Sequence, residues 1–127
     1  MRSRSGHIEF DKKVRWKNLI PAFRPLFLKF LEETQQMPED VDNVDVLIEE
    51  NLRDLRNNRK PEGYNREGAM RMIFPISNKV EFYVYGRGKT VEVAHLTESL
   101  SRVLQKYRLK HTIAWDQLKL FADKKEA

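Results

Sequence analysis

The sequence predicts an α+β domain of two layers, in which a small antiparallel or mixed sheet of about three to five strands packs with about three helices. Two long segments carry apolar residues at spacings of three and four, the period of an amphipathic helix. Further along the chain, apolar and polar residues alternate, as they do in strands whose two faces differ. The 127 residues fit one domain. We expect a flexible basic tail at 1–6, the domain at 7–120 and a charged tail at 121–127.

The first elements of the domain are predicted to be a short strand or hairpin and then a helix. Apolar and polar residues alternate between His7 and Trp16. Large apolar residues then repeat at helical spacing over 18–36. Pro25 lacks an N–H and crowds the preceding turn, so we expect this helix to begin near Arg24 or to kink there.

A second helix is predicted from Glu39 or Asn43 to Asn57, again from its apolar spacing. Six acids and no base lie between Glu39 and Glu50, and arginines crowd the end of the segment. This polarity complements the helix dipole. It explains the acidic run better than a calcium loop does, because the required glycine and final glutamate are missing.

Two strands are predicted next, after a loop over 60–68. Alternation marks Met70–Ile76 and Val80–Tyr85, and the glycine-rich segment at 86–89 is typical of a hairpin tip. Thr90–Leu96 fits either a strand or the start of a helix. We interpret it as a strand, with Thr97 as the N-cap of the following helix.

The chain is then predicted to finish with a helix to Tyr107 and a strand over Lys110–Asp116. Ile113 and Trp115 of this strand are expected to point inward. The predicted order of elements is therefore (β)-α-α-β-β-β-α-β.

Composition excludes several kinds of chemistry. The chain has no cysteine, which rules out disulfides, thiolate metal sites and a cysteine nucleophile, and which fits a reducing compartment. We see no secretory signal and no apolar stretch long enough to span a bilayer, so we expect a cytoplasmic protein without a membrane partner. The net charge of +5 leaves a basic chain with one acidic segment, which favours anionic partners.

Motifs for catalysis are absent or incomplete, and we therefore lean against an enzyme. The segment Gly86–Thr90 resembles part of a phosphate-binding loop, but Tyr83 stands where the first glycine is needed. No two of the three histidines have the spacing of a helical zinc site, and no serine lies in a nucleophile elbow. We expect neither a catalytic residue nor a metal or other cofactor.

A nucleic-acid surface has more support. Lysine and arginine neutralise phosphates and release counterions. If the strands alternate as read, Arg71, Tyr83 and Tyr85 share a sheet face on which unpaired bases could stack. The alternative is that the tyrosines are ordinary cross-strand partners or lie under the first two helices. The predicted nucleic-acid-binding residues combine these three with basic side chains elsewhere: Arg56, Arg59, Lys60, Arg71, Tyr83, Tyr85, Arg87 and Lys89.

We therefore predict a small, non-enzymatic accessory or regulatory protein that binds DNA or RNA through a basic surface. The alternative is a protein–protein regulator or inhibitor subunit, with a protein partner or a homodimer and no nucleic-acid contact. In that case the aromatic face of the first helix, with Phe23, Phe27 and Phe30, would extend to the partner.

Overall fold

The computed structural model describes residues 5–66, 70–86 and 90–115. Within these residues, the elements follow one another as β1 (Ser5–Phe10), a 3-10 helix (Trp16–Leu19), α1 (Ile20–Glu33), α2 (Val41–Arg56), β2 (Met70–Ile73), β3 (Glu81–Gly86), α3 (Thr90–Lys106) and β4 (His111–Trp115). Helices α1 and α3 pack on each other, and α3 packs on the sheet. The predicted α+β class is confirmed.

The sheet has the strand order β2-β3-β1-β4, and every neighbouring pair is antiparallel. Strands β1 and β3 are therefore central, and helical connections lead from β1 to β2 and from β3 to β4. This is the split β-α-β topology, here with an additional helix between β1 and β2. Strand β1 begins at Ser5, inside the segment predicted as a tail.

One face of the sheet forms the core with the helices. Ile8 on β1, Phe82 on β3 and Met72 on β2 are almost fully buried there. The phenylalanines of α1, Phe23, Phe27 and Phe30, are 0% exposed. They are used inside the chain's own core, so they cannot form the partner surface considered above. Among the described residues, no helix is both long and apolar enough to cross a membrane.

The segment predicted as a strand over Thr90–Leu96 is instead the first part of α3. Val93 and Leu96 are buried together with Leu100 and Leu104, one turn or two further along. Burial of this helical stripe outweighs the strand preference of the β-branched residues. Thr97 is not an N-cap: it is 0% exposed in mid-helix, and its Oγ1 donates to the Val93 carbonyl oxygen at 2.8 Å. The described sheet accordingly has four strands, which is one fewer than in the predicted order of elements but within the predicted range of three to five.

Of the two alternatives for the first helix, a start near Arg24 or a kink there, the late start was wrong. Helix α1 begins at Ile20 and includes Pro25. Buried residues stand on both sides of the proline, Phe23 before it and Leu26 after it, and their packing holds the turn. Pro21, whose carbonyl would accept the missing hydrogen bond, is exposed, so water can satisfy it.

The strand or hairpin predicted over 7–16 is a strand followed by a turn. The Val14 amide donates to the Asp11 carbonyl at 2.9 Å, and Trp16 then opens the 3-10 helix rather than a second strand. At the other end of the sheet, β4 covers His111–Trp115. Ile113 packs against the core as predicted, whereas Trp115, near the strand end, is 36% exposed.

Candidate functional site

Three of the predicted site residues come together on the face of the sheet opposite the helices. The register pairs Arg71 with Tyr85 and Ile73 with Tyr83. Residues paired across antiparallel strands project from the same face, and their neighbours Met72 and Val84 are buried on the other one. We call this patch of Arg71, Ile73, Tyr83 and Tyr85 the tyrosine face.

The two tyrosines of the tyrosine face differ in how much of the side chain solvent can reach. Tyr85 is 39% exposed, whereas Tyr83 is half-buried and stacks on His7 of β1 with ring centroids 4.8 Å apart. His7 itself is buried, as is Ser5, whose Oγ lies 3.1 Å from His7 Nε2. The tyrosines do not lie under the first two helices, and Tyr85 offers the largest aromatic surface of the patch.

Arg71 supplies the positive charge of the tyrosine face. The Arg71 guanidinium donates to Asn65 Oδ1 at 3.3 Å, and none of the ion pairs found among the described residues includes it. Burial raises the pKa of the Tyr83 phenol, and the adjacent Tyr85 raises it further. Arg71 thus supplies a positive charge beside aromatic rings, a combination that proteins binding single-stranded nucleic acids commonly have.

The other predicted basic residues that the structure describes do not join the tyrosine face. Arg56, Arg59 and Lys60 lie at the end of α2 or just after it, and α2 packs chiefly on α1 and the 3-10 helix. Arg56 forms an ion pair with Glu49, and Arg59 forms one with Asp54 at 3.3 Å. The hydrogen bond from Arg56 lowers the pKa of Glu49. Arg87 and Lys89 lie outside the described residues, so their place at the site remains a prediction.

A second surface, which the sequence did not predict as a site, lies at the opposite end of the sheet. A cleft of about 640 Å³ opens where β1 ends and where β3 and β4 begin. Its backbone floor is closed by hydrogen bonds from Phe10 N to the Val80 oxygen and from Asp11 N to the Lys110 oxygen. We call it the basic cleft. Its lining includes Glu9, Phe10, Asp11, Lys12, Val14, Arg15, Trp16, Asn58, Asn78, Lys79, Val80, Lys110, His111 and Thr112.

His111 is fixed at the edge of this cleft by both ring nitrogens. Its Nδ1 donates to the Leu109 carbonyl oxygen at 2.7 Å, and its Nε2 lies 2.6 Å from Ser101 Oγ on α3. A serine beside an imidazole is also the geometry of an activated nucleophile. Ser101, however, is only 5% exposed, so substrate would not reach it. The pair ties β4 to α3 and keeps the imidazole from turning into the cleft.

Among the described residues, no three His, Cys, Asp or Glu side chains are grouped so that they could hold a metal ion. The chain was also compared with known proteins. No family model, curated protein or solved structure matches it. Among the described residues, the tyrosine face and the basic cleft are therefore the features that bear on function.

Proposed function

We propose that this protein binds single-stranded nucleic acid on the tyrosine face, as a small, non-enzymatic accessory or regulatory protein. Bases would stack on Tyr85 and, at its accessible edge, on Tyr83, while Arg71 would neutralise a phosphate. Affinity would come from stacking and phosphate contacts more than from the reading of base edges. The absence of cysteine supports placing this activity in the cytoplasm.

The observation that carries the proposal is the pairing of Arg71 with an exposed Tyr85 on β3, one of the two central strands of the sheet. Tyr83 lies two residues away on the same strand and face. A four-stranded sheet that stacks bases on its aromatic side chains is a common way of holding unpaired RNA. Since a fold alone does not imply a function, the support comes from these side chains rather than from the topology.

Binding should be measured by fluorescence anisotropy, with labelled 12-nucleotide RNA and DNA, each single-stranded and duplex, at 50 and 200 mM salt. We expect single strands to bind better than duplexes, because only unpaired bases can stack on a tyrosine. The logarithm of the affinity should fall with that of the salt concentration, by about 0.7 for each phosphate contacted on a single strand.

Tyr85→Ala should weaken binding by about 1–3 kcal/mol, the usual contribution of one stacked base, and Tyr85→Phe should retain it. Arg71→Gln should reduce the salt slope by about 0.7. Tyr107→Ala is the matched control, because Tyr107 is similarly exposed but follows α3 on the other side of the molecule. Circular dichroism should show that every variant is folded.

Absence of binding at 50 mM salt, or an equal loss with Tyr85→Ala and Tyr107→Ala, would refute the proposal. The alternative, a protein partner or a homodimer without nucleic-acid contact, would then be tested. Arg87→Ala and Lys89→Ala provide a further test, since the sequence predicts that both residues add phosphate contacts and that either change weakens binding.

A further inference from the structure

The basic cleft carries an excess of positive charge that no ion pair among the described residues neutralises. Lys12, Arg15 and Lys110 are exposed at its rim, and none of the ion pairs found among the described residues includes them. Lys79 Nζ lies 3.9 Å from Glu9 Oε1, so the charges of these two side chains cancel each other. Asp11 is the other acidic residue that lines the cleft, and its Oδ2 accepts a hydrogen bond from the Lys13 amide at 3.2 Å within the turn.

The cleft also has an aromatic and apolar side. Trp16 lines it and is held by an edge contact with Phe74, with ring centroids 5.9 Å apart. Val14 and Val80 are half-buried there, and Phe10 lies beneath them. A cation rim beside an apolar wall suits a ligand that is anionic at one end and flat and apolar at the other.

Size narrows the choice of ligand. About 640 Å³ falls within the roughly 300–1,000 Å³ typical of small-molecule sites. We propose that the basic cleft binds a nucleoside phosphate. Its phosphate lies among Lys12, Arg15 and Lys110, and its base packs against Trp16. Asn58, Asn78 and Thr112 add amide and hydroxyl groups at the cleft surface that suit the polar edges of a base or the ribose.

This site is distinct from the tyrosine face. Glu9 at the edge of the cleft stands opposite Glu81 on β3, and Glu81 lies between the cleft and the two tyrosines of that strand. Tyr85 is four residues from Glu81, or about 13 Å along the strand. The bound nucleoside phosphate can be a free nucleotide or the terminal nucleotide of a nucleic-acid strand. Both present a phosphate and a base to the cleft.

Trp16 itself can report binding. The chain has two tryptophans, and Trp115→Phe would leave Trp16 as the sole indole. In that variant, adenosine 5′-monophosphate should change the fluorescence of Trp16 saturably. Adenosine and inorganic phosphate should each change the fluorescence only at much higher concentration. Adenosine lacks the phosphate that the basic residues bind, and inorganic phosphate lacks the base that packs against Trp16. Isothermal titration of the unsubstituted protein provides an independent measure of the same affinities.

Arg15→Ala and Lys110→Ala should each weaken nucleotide binding about tenfold, as expected for the loss of one charged hydrogen bond. Arg53→Ala and Lys106→Ala are the matched controls. They remove the same charges from exposed helix positions outside the cleft and should change the affinity less than twofold. Tyr85→Ala should leave nucleotide binding unchanged, which separates this site from the proposed function.

Oligonucleotides with and without a 5′-phosphate or a 3′-phosphate distinguish the two sources. If the mononucleotide binds, the cleft accepts a free ligand. If only a phosphorylated strand binds, and Arg15→Ala abolishes the preference for its phosphate, the cleft holds a strand end. The proposal is overturned if neither ligand is bound, or if the control variants lose as much affinity as Arg15→Ala and Lys110→Ala.

Discussion

At Gly6 the backbone of β1 lies close to Thr97 of α3. A Cβ at this position would lie 1.9 Å from Thr97 Oγ1 and 2.9 Å from both Cβ and Cγ2 of Thr97. Thr97 is fully buried, and its hydroxyl is held by the Val93 carbonyl, so it cannot turn aside. Glycine at position 6 is therefore needed for helix α3 to reach the central strand.

Gly6→Ala should destabilise the protein by about 1–3 kcal/mol, the usual cost of overpacking a core. Thr97→Ala removes two of the three clashing atoms, so the double variant should lose less than the sum of the two single variants. Urea unfolding of all four proteins gives the coupling free energy, which we expect to be about 0.5–3 kcal/mol. A Gly6→Ala protein as stable as the original would show that the strand and the helix are not in contact.

The tyrosine face could be predicted from the sequence because it rests on the strictest local rule. Side chains two apart on a strand share a face, which joins Tyr83 to Tyr85 without knowledge of the fold. The basic cleft could not be predicted in this way. Arg15 and Lys110 are far apart in the sequence, and only the pairing of β1 with β4 brings their segments together.

Among the elements, α1 and α3 show how burial overrides local preference. The apolar stripes of both were visible in the sequence, but the proline in α1 and the β-branched residues at the start of α3 favoured other conformations. In each case the conformation that buries the apolar stripe is the one observed. Secondary-structure preference contributes less free energy to folding than core packing does. The ends of α2 were predicted closely, since capping and charge agree there with the apolar spacing.

Pro25→Ala should stabilise the protein by about 1–2 kcal/mol. A proline inside a helix costs about 3 kcal/mol relative to alanine, and its restriction of the unfolded chain returns up to about 1 kcal/mol of that. Pro21→Ala is the matched control, because proline is well tolerated in the first turn of a helix, where Pro21 lies. Thermal and urea unfolding should show a gain for Pro25→Ala alone. Loss of stability would mean that the half-buried ring contributes more by packing than it costs in the backbone.

At the scale of the whole molecule, the acidic run of the sequence lies at the start of one helix. The acidic run opens α2, where the Asp40 side chain accepts the Asp42 amide at 2.9 Å and Arg24 pairs with Asp45 at 3.1 Å. This run was predicted as a helix start, and the N-cap confirms that interpretation. Because α2 packs against α1, these acids belong to the helix layer. A nucleic-acid strand bound on the tyrosine face would therefore not have to cross them.

One carboxylate, Glu81, does lie between the two proposed sites, and it provides a test of whether a single nucleic-acid strand occupies both. Glu81 stands opposite Glu9, and Glu81 Oε2 accepts the Ser77 hydroxyl at 3.0 Å. Glu81→Gln keeps an acceptor at this position and removes the charge. If one strand crosses from the tyrosine face to the basic cleft, its phosphates pass this carboxylate.

In that case Glu81→Gln should tighten binding of a 12-nucleotide single strand about two- to fivefold at 50 mM salt, since an exposed charge contributes up to about 1 kcal/mol. The gain should shrink at 200 mM salt, because screening weakens the repulsion that the substitution removes. Binding of adenosine 5′-monophosphate should change less than twofold. Glu98→Gln makes the same charge change on an exposed position of α3 and controls for the net charge. Equal gains from both variants would mean that only the overall field matters, and that the two sites take separate ligands.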